Sequence, residues 1–590
     1  MTNNNITEKL FFQLLPIQIL VIAMGALNSI VDGAVAGQYI DAATVGVIGL
    51  YYTMVNVLNA IGNTLLGGTA VLCGRSMGAG DVEKTNGIFS LNIFVTFCIG
   101  TALTLISFCF SGPIADLLGA SAELKPALVL YIIGYAVGIL PQLLAQQLAS
   151  FLQLEHQNIR GYVGITSMIC TNVVLDLLLV AVLRLGIFGL ALATSLSSWV
   201  YLIILGQYYF TKHAQLNFRF RNIEIKMLRQ MILIGAPGAL LVFCLALRSL
   251  VLNRILLTYT GNDGLSAMAA YNMVSGLILA YSLGVGAVVR MLTSVYVGER
   301  DCTGIRNLFR VVFTKGMAIT LVLTVLVVLS SGGIARVFFP DTASNVYRLS
   351  RQLLMIYSAS IPMIIVCCFC TNYLQARGHH LFVNFLSVFD GFISNIVPSL
   401  LLAPLMGALG IWIAGPIGIF LTMIMTPLYC VLFWRRRPAS LDEWLFIQPG
   451  FDVDEQDRLS ITITTDQEVA DTAEKVQAFC RDHGMGEKTA YYTALCLEEM
   501  AGNIVSHGFY KDHKRHSVDA RIIYRDGGAF LRIKDDCIPF NPKERAEITD
   551  PADPLKNIGI RMVMRLADEV SYHNMLGLNV LTMELREHPG

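Results

Sequence analysis

Charge is scarce in this chain. Asp, Glu, Lys and Arg make up 14% of its 590 residues, against about 25% in an ordinary soluble domain. Hydrophobic residues make up 55% and the mean hydropathy is +0.60, so most of the chain belongs in lipid. This excludes a wholly soluble enzyme, a collagen, a disordered chain and a secreted disulfide scaffold. The 13 cysteines form no CxxC…CxxC set and no Cys/His cluster at zinc-ligand spacing. Most lie in apolar runs, as do Cys367, Cys368 and Cys370, and act as small hydrophobes. No small-residue cleavage site follows the first apolar run, which begins near Leu10 and is expected to be an uncleaved span. A GxxxxGK[ST] phosphate loop is also missing. The nearest approach, GMGEKT at Gly484–Thr489, places Glu487 before Lys488 and has no strand leading in, which counts against an ATP-driven pump.

The charge that is present is unevenly placed. Residues 1–434 hold 22 Lys+Arg and 15 Asp+Glu, whereas residues 435–590 hold 20 and 27. The split marks a membrane part and a soluble tail. Apolar runs of spanning length fall near 10–36, 45–72, 88–110, 127–150, 161–183, 187–209, 230–257, 267–294, 311–333, 350–374, 382–403 and 411–434, which predicts twelve transmembrane helices. With the N-terminus cytoplasmic, about 17 Lys/Arg fall in cytoplasmic segments and about 5 outside, the expected bias. Both termini are then cytoplasmic, in a multi-pass protein of the cell membrane.

The membrane part repeats itself. Pro16 recurs as Pro237, Pro141 as Pro362, and Gly186/Gly189 as Gly407/Gly410, each 221 residues on, while GAGD at Gly78–Asp81 is answered by GERD at Gly298–Asp301. A shared offset bracketing six spans indicates duplicated six-helix halves, 1–220 and 221–434. Such symmetry favours a transporter over a channel or receptor.

An ionisable group inside the membrane costs at least a few kcal/mol. The first half carries Asp32 and Asp176. Asn172 precedes Asp176 by four residues on one helix face, and Thr194 comes from the next span. This oxygen-rich set can hold Na⁺ or share a proton; buried structural hydrogen bonding is the plainer alternative. At the repeat offset Asp32 becomes Asn253, Asp176 becomes Val397 and Thr194 becomes Gly415, so ion coupling is expected in the N-terminal half. The second half carries Arg248, Arg254, Arg290 and Asp390. Arg248 and Arg290 are candidates for anionic groups of a substrate; alternatively, Arg290 snorkels and Arg248 neutralises Asp390. Pro16 removes a backbone hydrogen bond and can bend the first helix.

The run LPIQILVIAMGALNSIVDGAVAGQYIDAATVGVIGL, then GRSMGAGDVEKTN, and later APGALLVFCLALRSLVLNRILLTYTGNDGLSAMAAYN, resembles the multidrug and toxin extrusion (MATE) transporters over about residues 8–434. In that family a first-helix proline and aspartate, with a polar cluster from the fifth and sixth helices, couple cation entry to drug exit. The matching positions are Pro16, Asp32, Asn172, Asp176 and Thr194. The resemblance implies an antiporter that exports small organic, typically cationic and amphipathic, compounds in exchange for H⁺ or Na⁺.

Residues 435–460 form a charged linker with Pro438 and Pro449. Beyond it, strands are expected at 461–465, 516–524, 528–534 and 577–584 and helices at 466–482 and 487–506, an α/β sandwich of about 130 residues. Glu499, Asn503 and His507 are spaced by four on one helix. An amide oxygen can ligate Mg²⁺ while a carboxylate orients or deprotonates a nucleophile. DDCIPFNP at Asp535–Pro542 follows a strand, and Gly559 in NIGIRMVMRLADEVSY opens a helix whose N-terminus can receive phosphate. In this order the elements resemble the gyrase, chaperone, histidine-kinase and mismatch-repair ATP-binding group (the GHKL type), especially anti-sigma-factor serine/threonine kinases. The resemblance covers about 461–590. It implies ATP and Mg²⁺ as cofactors, Glu499 as acid/base, Asn503 as the Mg²⁺ ligand, Asp535 as adenine reader and Gly559 on the phosphate side. Cys537 and Asn557 stand where that group usually has glycines.

The expected function is a secondary antiporter with a cytoplasmic ATP-binding domain that regulates transport or signals. The alternative is a membrane-anchored serine/threonine kinase that uses the transporter as sensor, acting on an anti-sigma-antagonist-like partner; decay of the tail's site to a scaffold is a third reading. A sensor histidine kinase is disfavoured because residues 435–460 contain no histidine. The other partners are the bilayer and a small organic substrate, with no nucleic acid.

Overall fold

The computed structural model describes residues 4–40, 42–118, 122–211, 214–509, 516–525, 527–547 and 557–587. Among them, ten helices are long and apolar enough to cross a membrane, or eleven if the bent pair Asn345–Ser358 and Ile361–Arg377 (48°) is one span. One of the ten, Ile225–Gly298, runs for 74 residues. At about 1.5 Å per residue it far exceeds a hydrocarbon core of about 30 Å. It breaks at Gly261, where φ is 63° and ψ is −155°, a conformation open essentially only to glycine. Residues 225–260 and 262–298 are thus two spans, which brings the count to the expected twelve.

The repeat is visible in the backbone. Gly186 and Gly407 both have φ 58°. Gly80 (φ 74°) and Arg300 (φ 53°) are both left-handed. The aspartates of the two repeated loops cap the helices that follow: Asp81 accepts from Lys84 N at 3.0 Å and Asp301 from Gly304 N at 3.0 Å. Pro16 and Pro237 each lie inside a helix. The copies differ at the third proline. Pro141 sits within the continuous helix Lys125–Leu154, while Pro362 begins the second piece of the bent pair.

The two halves meet through glycines. A Cβ on Gly78 would lie 2.2 Å from Val295 O, and one on Gly298 would lie 2.2 Å from Arg75 O. Gly78 and Gly298 are repeat equivalents, so the axis relating the halves passes between them. Similarly, Gly68 faces Met231 O and Gly235 faces Thr64 O, with no space for a Cβ at either.

The tail begins with a segment anchored on the bundle. Leu445, Phe446 and Ile447 are buried in the same core as Phe11 and Leu14, and Arg306 Nε donates to Asp442 at 2.6 Å. Beyond it a five-stranded antiparallel sheet has strands β1 (Arg458–Ile463), β2 (Val518–Arg525), β3 (Gly528–Asp535), β4 (Glu569–Met575) and β5 (Leu578–Arg586), in the order β1-β2-β3-β5-β4. One face packs on the helices Asp466–Asp482 and Glu487–Asn503 through Val476, Leu497, Ile522, Leu531 and Met583. A capping box of Thr465 and Glu468 starts the first of these helices. Strand β4 is not among the strands expected from alternation. It is covered on both sides, and EVSYHNM carries no clean polar face to mark it.

The other face of the sheet lies on the bundle. Lys534 Nζ is 2.6 Å from Glu299 Oε2, Arg521 Nη1 is 3.3 Å from Asp301 Oδ1, and Arg532 Nη2 is 3.7 Å from Asp301 Oδ2. Leu576 N donates to Leu154 O at 2.9 Å. Met575, Leu576, Leu578 and Val580 join the bundle's core. Burial pushes the Asp301 carboxyl up, but Lys534, Arg521 and Arg532 outweigh it and hold it at about 2.

Replacing Gly298 with Val should force the halves apart and cost about 1–3 kcal/mol, read as a lower thermal midpoint in detergent. Gly333→Ala, with nothing within 4 Å of its added Cβ, should leave the midpoint unchanged or slightly higher. The depressed Asp301 value stabilises the contact fully above its ordinary 3.8 and is lost as pH falls toward about 2. Hydrogen exchange of β5 should therefore hold down to about pH 4 and accelerate below it, and Asp301→Asn should flatten that dependence.

Candidate functional sites in the bundle and the tail

Three helices build the polar site of the first half. Asp32 comes from the first helix, Asn4–Tyr39, which also carries Pro16. Asn172 and Asp176 come from Asn158–Asp176, and Thr194 from Gly186–Gly206. A π-helical turn, Leu177–Val182, follows Asp176 directly, an irregularity frequent at functional sites. Asp32, Asn172 and Asp176 are buried. Asn172 Nδ2 is 3.4 Å from Thr194 Oγ1, which is 3.5 Å from Asp32 Oδ2. The two carboxyl groups are near enough to act on each other electrostatically. Asp32 Oδ1, both Asp176 oxygens and Asn172 Oδ1 are buried without a hydrogen-bond donor. Oxygens left so are costly, and such an acceptor-only set fits a proton or a hard cation.

Beside this site stand three tyrosines that sequence reasoning did not single out. Tyr51 packs on Tyr131 and Tyr135 with ring centroids 5.0 and 4.9 Å apart, and Tyr131 lies within electrostatic reach of Asp32 and Asp176. The i, i+4 spacing of Tyr131 and Tyr135 on one helix face was the available signal.

The second half is built differently. A Cβ on Gly415, the counterpart of Thr194, would lie 2.5 Å from Tyr357 Cζ, so an aromatic ring fills that space. Arg248 Nη1 lies 3.5 Å from Asp390 O, and Thr422 Oγ1 donates to Asp390 Oδ1 at 3.1 Å. Arg290 is elsewhere: its Nη1 donates to Asn372 Oδ1 at 3.3 Å, and it lies 3.9 Å from a Cβ built on Gly67, between the halves. Arg248 and Arg290 therefore do not form one site.

In the tail, Glu499 and Asn503 share one helix, and His507 lies in the π-helical turn Ile504–Gly508, where it is exposed. A Cβ on Gly559 would lie 2.0 Å from Glu499 Oε2, so the fold brings the expected acid/base and the expected phosphate-side glycine together. Asp535 ends β3 and is buried. Its Oδ1 accepts from Cys537 N at 2.9 Å and Asn579 Nδ2 at 2.8 Å. Tyr572 hydroxyl donates to Asn579 Oδ1 at 2.8 Å. Burial pushes the Asp535 carboxyl up, partly offset by the bonds from Asn579 and Cys537. Asn579 and Tyr572 belong to the unanticipated β4–β5 pairing and were not legible beforehand. Residues 548–556, before the Gly559 helix, lie outside the described residues.

The two departures from glycine find local accommodation. Asn557 has φ 60°, the left-handed conformation that asparagine adopts most readily after glycine. Cys537 packs against Gly508, where a Cβ would lie 3.1 Å from its Sγ. The fold also brings His516, Asp536 and Cys537 within 4.8 Å of one another, a grouping that sequence spacing does not show. His516 Nδ1 is 3.0 Å from Asp536 Oδ1, and Lys9 of the first helix pairs with the other Asp536 oxygen.

Comparison with known proteins bears on both parts. The MatE family pattern matches residues 18–178 and 237–401, and that of the histidine kinase-like ATPase domain matches residues 463–585. The multidrug export protein MepA of Staphylococcus haemolyticus is 25% identical over 441 residues, covering 72% of this chain and 94% of that protein. The probable multidrug resistance protein YoeA of Bacillus subtilis is 20% identical over 431 residues, 70% of this chain and 91% of its own. Among solved structures, an outward-facing conformation of a multidrug resistance MATE family transporter aligns with a TM-score of 0.68 at 18% identity, over 74% of this chain and 97% of that one. A mutant of the Vibrio cholerae MATE transporter VcmN aligns with a TM-score of 0.69 at 18% identity, over 76% and 100%. These two relatives cover 72% and 70% of this chain, and the tail has its own match. The chain belongs to the MatE family of membrane transporters and carries a histidine kinase-like ATPase domain at its C-terminal end.

Proposed function

We propose that the membrane part is a secondary antiporter that exports small organic cations in exchange for H⁺ or Na⁺, and that the cytoplasmic tail binds Mg-ATP and regulates it. The observation that carries this reading is the buried Asp32–Asp176 pair, with oxygens lacking donors beside a wall of three tyrosines. Aromatic faces and carboxylates together suit an organic cation. The names of the relatives, a multidrug export protein and a probable multidrug resistance protein, point the same way. A proton or Na⁺ reaching the oxygens removes the negative charge that attracts the organic cation, so the two compete for different states of one site. Pro16, in the helix that carries Asp32, supplies the bend point.

In the tail, Asn503 would hold Mg²⁺, Glu499 would orient or deprotonate a nucleophile, Asp535 would accept from the adenine amino group, and the helix after Gly559 would face the phosphates. The match to a histidine kinase-like ATPase domain supports nucleotide binding, and the glycine-to-carboxylate contact at Gly559 supports the placement of the phosphates.

In liposomes with an imposed H⁺ or Na⁺ gradient and no nucleotide, a fluorescent organic cation should move. Asp32→Asn should lower this movement by about tenfold or more, the worth of one charged contact in a buried site, while the protein stays folded. Unchanged transport in that variant would sink the assignment. Nucleotide affinity should fall about tenfold with Asp535→Asn. Because the carboxyl is raised above 3.8 and must be ionised to accept from adenine, binding should weaken as pH falls at a value above the ordinary aspartate range. Titration of a fluorescent ATP analogue checks both.

A further inference from the structure

The tail's sheet touches both copies of the repeat at once. A cavity of about 520 Å³ is walled by Gly78–Gly80 from one half, Gly298–Arg300 from the other, and Arg532 and His573 from the sheet. Lys534 and Arg521 hold Glu299 and Asp301 of the second half, with side chains at most 10% exposed. The Leu576–Leu154 backbone bond holds the first. These contacts lie where the halves meet through Gly78 and Gly298. Any rocking that parts the halves on this side must break one set of them, and a buried charge that loses its partner is expensive.

A further contact between tail and bundle adjoins the proposed nucleotide site. Asp536 pairs with Lys9 and is bonded to His516, two residues before β2. Asp535, immediately before it, is the expected adenine reader. Lys9 belongs to the helix that carries Pro16 and Asp32.

We propose that the C-terminal domain is a nucleotide-controlled clamp: docked, it holds the tail-side ends of the two halves together, and nucleotide in the Asp535 pocket tightens the docking through Asp536 and Lys9. The inference rests on the nucleotide-binding reading above. Docking fixes the backbone around Asp535, so part of the ordering that adenine binding requires is already met in the docked state. By linkage, nucleotide then favours docking by the same factor. Mg-ATP on the tail side therefore slows exchange between the transporter's two states.

The test uses the full chain. A trinitrophenyl-ATP titration displaced by Mg-ATP measures affinity in detergent, hydrogen exchange of β5 measures docking, and gradient-driven efflux of a fluorescent organic cation from liposomes, with and without Mg-ATP on the tail side, measures exchange. Wild type should bind ATP, gain protection in β5 on binding, and transport more slowly with ATP. Lys9→Ala should weaken ATP binding about fivefold or more, the lower range of an ordinary coupling, and remove both effects. The exchanged pair Lys9→Glu with Asp536→Lys should restore them in part. Glu299→Gln, which releases Lys534 on the bundle-facing side of β3 and leaves Asp536 and Lys9 unchanged, should loosen β5 and weaken ATP binding in the same direction, which keeps the test intact if Lys9→Ala does not fold. No ATP binding by wild type would overturn the nucleotide reading and the clamp with it. ATP binding and ATP-slowed transport that are indifferent to both Lys9→Ala and Glu299→Gln would overturn the clamp alone.

Discussion

Where the Ala42–Gly78 helix ends against residues 262–298, no Cβ fits at Gly78 or at Gly298. Gly78 and Gly298 press on each other's backbone at equivalent points of the two copies. That contact brings the repeated loops after Gly78 and Gly298 side by side, each turned by a left-handed residue and closed by an aspartate cap. The platform so formed is what the tail's sheet lies on. Without the close approach the loops would separate, and the sheet could not reach Leu154 on one half and Glu299 on the other.

The two halves offer matching backbone frameworks at their repeated loops, and the chemistry within them differs. The first half keeps two carboxyl groups and an amide in a buried pocket. In the second, the ring of Tyr357 occupies the space beside Gly415 that Thr194 holds in the first, and Arg248 lies against Asp390. With an aromatic filling one copy and the other left short of donors, the described acidic, acceptor-rich oxygens gather in the first half.

Much of this was legible in the sequence, for physical reasons. Spans announce themselves because lipid demands length and apolarity together, and the repeat survived in prolines and glycines because few residues can replace them where backbone conformation is unusual. Asp32 and Asp176 stood out because a carboxylate in lipid is rare. The tyrosine wall did not, since Tyr51, Tyr131 and Tyr135 look like any aromatic in an apolar run until two helices bring them together. Strand β4 was hidden by burial on both faces. The docking of the sheet was hidden more thoroughly: Arg521, Arg532 and Lys534 look like the solvated edge of a strand, and only the fold places Glu299 and Asp301 opposite them. The glycine departures at Cys537 and Asn557 looked unfavourable in sequence, yet Gly508 and a left-handed turn accommodate them.

The anchored segment ahead of the sheet sets how far the tail can travel. With Leu445, Phe446 and Ile447 buried in the bundle and β1 beginning at Arg458, the tether is at most residues 448–457, of which Phe451 itself packs on the bundle's core, and at full stretch it reaches no more than about 33 Å. A domain on so short a leash meets its platform at an effective concentration of order millimolar. Contacts that would be negligible between separate molecules then suffice to keep it seated, and modest changes in their strength decide how much of the time it is.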